Sequence, residues 1–169
     1  MRAIVLAIAI CMGSAAAQEH APIYWIVGFS QNGDWLRSLA VIDETRITAS
    51  APDMRRAWVW LYGSPRETTD SNAGGHSLVY WEYDCANHRS RLLGGNLYGP
   101  AGNSLGTTRQ MGDWDLIAPS TLAESEMDFV CSSPAHRPSD AIQIGNVDPD
   151  AMAQRMFSHP FNQQAPTAQ

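Results

Sequence analysis

The stretch Ser77-Leu78-Val79-Tyr80-Trp81-Glu82-Tyr83-Asp84-Cys85 decides how this chain folds. Large apolar and aromatic side chains recur there at every second position, the period of a half-buried strand. Val79, Trp81 and Tyr83 fall on the same side as Cys85. Downstream, Pro119 precedes a segment of helical character over residues 120–131. Thr121 and Glu124 have the spacing of a capping box. Ala123, Met127 and Cys131 recur at i, i+4 and i+8, beside Leu122 and Val130, so Cys131 lies on the apolar side of the predicted helix. A bond from Cys131 to Cys85 would pin that helix to the end of the strand.

Working outward, four more strands are predicted. Residues 23–29 place Ile23, Trp25, Val27 and Phe29 on one face. Residues 38–43 form the next, after the turn signal Gln31-Asn32-Gly33-Asp34. Residues 56–62 carry Trp58, Trp60 and Tyr62 on one face, with Ala57, Val59 and Leu61 on the other. Residues 89–98 form another, interrupted by Gly94-Gly95, a pair that marks a bulge or a close backbone approach. Residues 64–75 read as a polar, mobile loop. Strand following strand with short breaks implies an antiparallel meander. The expected fold class is α+β, mainly β: a small antiparallel sheet of about five to six strands, one packed helix pinned by a disulfide, and a C-terminal extension.

Three regions divide the chain. Met1 and Arg2 open a short positive start, Ala3 to Met12 is an apolar run, and Ala15-Ala16-Ala17 closes it, the layout of a secretory signal peptide over residues 1–17. Cys11 is the competing feature, as a lipidated first residue. That processing needs a small preceding residue, where Ile10 stands, so the Ala-x-Ala site fits better. Residues 18–133 form the expected domain. Residues 134–169 read as a linker and a partly helical or disordered tail, with a short amphipathic helix over 148–157 using Met152, Met156 and Phe157. The chain is therefore expected to be exported, to the periplasm or the cell surface, with no transmembrane segment.

Removal of residues 1–17 leaves Cys85 and Cys131 in an oxidising compartment, where an even pair favours a disulfide. A redox or nucleophilic cysteine is the other reading, and no C-x-x-C motif supports it. The full chain carries a formal charge of −6, and all eleven basic residues are arginine. An acidic chain is a poor match for nucleic acid, which selects basic patches. The lack of lysine removes Schiff-base and Ser–Lys chemistry and a P-loop lysine.

The residues suggest no catalytic or metal centre, and no motif calls for a cofactor. His20, His76, His88, His136 and His159 show no metal-ligand spacing such as H-E-x-x-H. Asp113-Trp114-Asp115 would put two carboxylates on one face of a strand, suited to a cation or a glycosidase-like pair, or to a solvated edge around a buried tryptophan. The unusual feature is aromatic content: six tryptophans and five tyrosines, mostly on predicted strands. In the strand at 56–62 both faces carry large apolar groups, so either both are covered or one is a contact surface. Trp58, Trp60, Tyr62 and Trp81 are the candidate binding surface.

An ordered set of residues resembles the surface-adhesin protein E family of bacterial exported proteins. Trp25 opens the first strand, Val41-Ile42-Asp43 ends the second and Val59-Trp60 marks the third. Asp84-Cys85 follows, with Arg89 four residues on, then Tyr98-Gly99, Trp114, Pro119-Ser120 and Val130-Cys131. The resemblance covers residues 23–133. It implies a small antiparallel domain with one packed helix and a disulfide, and a role at the cell envelope, where the family's named members bind host matrix and serum proteins. The expected function is a non-catalytic envelope protein that binds another macromolecule, in the first place a protein. The alternative is a periplasmic carrier in which Trp58, Trp60 and Trp81 hold a small hydrophobic ligand such as a tetrapyrrole.

Overall fold

A computed structural model of the protein describes residues 21–64 and 75–158. The predicted leader, nearly all of the polar loop and the last residues of the tail lie outside them. The alternating stretch around Trp81 forms β5 (His76–Asp84) in the middle of one antiparallel sheet. It pairs with β4 (Met54–Gly63) on one side and β6 (Arg89–Tyr98) on the other. Beyond β4 lie β2 (Trp35–Asp43) and β1 (Tyr24–Asn32). All five predicted strands are present, and the sheet is larger than the predicted five to six. Added to it are β3 (Thr48–Ala51) beside β4, β7 (Ser104–Thr108) and β8 (Asp115–Leu116) beside β6, and β9 (Ile142–Gly145) beside β1. β3, β7 and β8 are exposed throughout, so no buried face gives them an alternating pattern. They are strands because the long strands beside them offer unpaired edge groups that a few residues can satisfy.

One face of the sheet, here the disulfide face, is covered by α1 (Leu122–Cys131). Thr121 caps it by accepting the Glu124 N–H, and the Glu124 carboxylate reaches back to the Ser120 N–H at 2.6 Å. The helix buries Met127, Phe129 and Val130 against Val27, Ala40, Ile42, Ala57, Val59 and Tyr83. Gly28 sets the approach: a Cβ there would stand 2.6 Å from Leu122 Cδ1 and 3.0 Å from Ser125 Cβ. Cys131, at the last turn of α1, is bonded to Cys85, just after β5, with Cα atoms 5.8 Å apart. The expected disulfide therefore joins helix to strand, as its position on the apolar side of the helix implied.

The opposite, far face also needs cover, because β2 is apolar on both sides: Ala40 and Ile42 on one, Leu39 and Val41 on the other. The segment after residue 133, read as linker and tail, supplies it. There α2 (Pro149–Ser158) buries Met152 and Ala153 against Ile26, Leu36, Leu39, Val41 and Tyr62. Arg137 ties the same segment to the C-terminal end of α1. Its guanidinium donates to the Phe129 and Ser132 carbonyls, satisfying helix-end acceptors, and to Glu44 Oε1 at 2.8 Å. It also lies 4.2 Å from the centre of the Phe129 ring.

The disulfide face hides one carboxyl. Glu126 of α1 is 5% exposed and accepts a hydrogen bond from the Tyr83 hydroxyl at 3.0 Å. Burial pushes its pKa from 4.5 up to about 7, against the lowering effect of that bond. The folded state therefore holds the proton more tightly than the unfolded chain. Stability is highest below about pH 4.5 as far as this group is concerned, falls as pH rises towards 7, and is flat above. The full effect is ~3 kcal/mol. Glu126→Gln is expected to remove this slope, matching the parent in urea unfolding near pH 4.5 and exceeding it at pH 8.

Candidate binding surface on the far face of the sheet

The far face over β4, β5 and β6 carries rows of side chains set by strand register. Trp58 stands opposite Tyr80, and their rings stack at 4.7 Å with planes 19° apart. In the next row Arg56, Glu82 and Arg91 follow one another across the three strands. Glu82 is 2% exposed. Its Oε1 accepts from Arg56 Nε at 2.8 Å and from the Ser50 hydroxyl at 3.0 Å, and its Oε2 accepts from Arg91 Nε at 2.8 Å. In the third row Asp84 accepts from Asn87 Nδ2 at 2.9 Å and from Arg89 Nε at 2.8 Å. The guanidiniums of Arg89 and Arg91 lie 4.9 Å and 4.5 Å from the centre of the Trp114 ring.

Electrostatics follows from these bonds. Burial on its own would raise the Glu82 pKa, and the hydrogen bonds from Arg56, Arg91 and Ser50 outweigh it and hold the carboxyl below its ordinary value. Asp84 is held low by Asn87 and then by Arg89. Glu82 and Glu126 are thus two buried carboxyls with opposite fates: one is clamped by cations, the other meets a phenol.

The four predicted surface residues do not form one surface. Trp58, Trp60 and Tyr62 share the far face, and Trp81 lies on the disulfide face, opposite Ala57 in β4. Trp60 meets Tyr24 edge-on at 5.5 Å and packs beside α2. Tyr62 is 6% exposed, and its hydroxyl donates to Asp150 Oδ1 of α2 at 2.7 Å. Burial, then that bond, pushes the phenol well above its ordinary pKa. His76 Nδ1 lies 3.2 Å from the same oxygen, and its ring stacks on Tyr98. Trp58 is left half-buried outside this seam, stacked on Tyr80 and one row away from Arg56, Glu82 and Arg91, neighbours that sequence reasoning did not single out. The signal available was Arg56 two residues before Trp58, and Tyr80 two before Glu82. Alternation puts each pair on one face, and only register brings the pairs together.

Trp81 has its own setting. Its Nε1 is buried with no hydrogen-bond partner among the described residues. A hollow of about 460 Å³ opens beside it, lined by Val79, Leu92 and Leu97 and by Gly95 and Gly106. Asp113 and Asp115 are both exposed, flanking the half-buried Trp114. Among the described residues no group of three potential ligands gathers around a metal position, and no helix is long and apolar enough to cross a membrane.

Compared with known proteins, residues 37–132 match the family described as surface-adhesin protein E, more than half of the 169 residues. The match begins in β2 and ends one residue after α1. It holds both cysteines and the whole Arg56–Glu82–Arg91 row. No curated protein and no solved structure matches the chain.

Proposed function

The chain belongs to the surface-adhesin protein E family, and from that premise we propose that it is an exported, non-catalytic envelope protein that binds another macromolecule through the far face of its sheet. The observation that carries this reading is the Trp58–Tyr80 stack, set beside guanidiniums that a buried carboxylate holds in place. Aromatic and arginine side chains supply most of the energy at contact surfaces, and they cost least to use when already immobilised. The signal peptide over residues 1–17 belongs to the same reading, since a family of surface proteins needs an export route.

The test is capture of envelope fractions and purified matrix proteins by the mature protein, compared with a Trp58→Ala, Tyr80→Ala double variant. Expected is a partner tighter than millimolar whose affinity falls at least about tenfold in the double variant. Absence of any such partner overturns the reading.

The hollow beside Trp81 favours a second one, a carrier for a small hydrophobic ligand. Its lining by Trp81, Val79, Leu92 and Leu97 gives an apolar wall that suits such a ligand. Native mass spectrometry of protein purified from cells is then expected to show an added mass. A bare mass overturns the carrier.

A further inference from the structure

We propose that the hollow beside the Trp58–Tyr80 stack holds one residue of a carboxylated polysaccharide, an inference that rests on the macromolecule-binding reading above. The hollow measures about 270 Å³ and is lined by Trp58, Tyr80, Gly94, Asn96, Thr107 and Arg109. That is near the lower end for ligand pockets, ~300 Å³, and suits one ring of a chain. Gly94, in its wall, lets the neighbouring backbone come close: a Cβ there would stand 3.1 Å from the Thr108 carbonyl oxygen. Asn96 Oδ1 accepts from the Thr107 hydroxyl at 2.7 Å, which orients the amide, with its nitrogen as a donor.

Three features select an acidic sugar. A pyranose offers a flat C–H face to an aromatic ring and hydroxyls at its rim, which matches a stacked pair beside an amide and hydroxyls. A peptide strand gains its affinity from main-chain groups at a sheet edge. Here the lining spans β4, β5, β6 and β7 across the face of the sheet, so the hollow meets a ligand mainly with side chains. Charge settles the sign. Glu82 and Asp84 are buried, at 2% and 5% exposure, while the Arg56 and Arg91 side chains keep 39% and 26%. Arg109 adds a cation at the rim. A chain of net charge −6 thus turns a cationic border to solvent at this hollow.

The experiment titrates the mature protein with short oligogalacturonates and with their methyl esters, the same sugar without the charge, followed by tryptophan fluorescence and calorimetry. Expected is binding of the acid form that weakens with salt, with the ester at least about tenfold weaker. Trp58→Ala and Arg109→Gln should each weaken binding about tenfold, with circular dichroism unchanged, while Arg55→Gln on the disulfide face leaves it intact. Equal affinity for acid and ester overturns the assignment. So does a loss in Arg55→Gln as large as in Arg109→Gln, which marks unspecific attraction. If no sugar binds while envelope capture still depends on Trp58, the glycan assignment falls and the binding surface stands. If capture is lost as well, both fall.

Discussion

Cys131→Ser is expected to lower the stability of the folded protein by about 4 kcal/mol. The bond spans 46 residues of sequence, and closing a loop of that length removes much of the freedom of the unfolded chain. For a domain of this size the loss corresponds to a melting point lower by roughly 10 °C. The helix should not detach altogether. Phe129 and Val130 remain buried in the core, and Arg137 still bridges the end of α1 to Glu44. The loosened part is the last turn, so amide exchange should rise first near Cys131 and at the end of β5. Urea unfolding of the oxidised, reduced and substituted forms measures the stability, and intact mass with a thiol label counts free sulfurs. Two labelled thiols in exported protein would sink the pairing.

Glu82→Gln is expected to cost about 2–3 kcal/mol at neutral pH. The carboxylate is buried and serves three donors from three strands: Ser50 on β3, Arg56 on β4 and Arg91 on β6. An amide in its place offers one acceptor oxygen and leaves two guanidiniums uncompensated. The cost sits just below the ~3–5 kcal/mol of a broken fully buried pair because water reaches both arginines, which are 39% and 26% exposed. The pH dependence carries its own sign. The folded pKa of Glu82 is depressed, so the stabilisation is present above the unfolded value of 4.5 and is lost as pH falls through the folded value. Parent and variant should therefore converge in acid and differ most at neutral pH. A constant gap across that range would mean that packing, and not charge, sets the cost. The same substitution frees Arg56 and Arg91 to move, so it should also weaken any ligand that needs them held, which joins the stability of this row to its role at the surface.

The amino-acid sequence alone determined what depends on neighbours along the chain. Period-two alternation marked β1, β2, β4, β5 and β6, the Thr121–Glu124 spacing marked the start of α1, and two cysteines, one ending a strand and one on the apolar side of a helix, marked the covalent tie. Each is a local signal with a local cause. Only the tertiary structure decided the rest, because it depends on which distant residues meet. Arg56 and Glu82 are 26 positions apart, Tyr62 and Asp150 are 88, and Glu44 and Arg137 are 93. Strand register, which no single strand encodes, set Trp81 on the disulfide face and Trp58 beside Tyr80 on the other. The docking of α2 then covered Tyr62 and left the Trp58 stack at the surface.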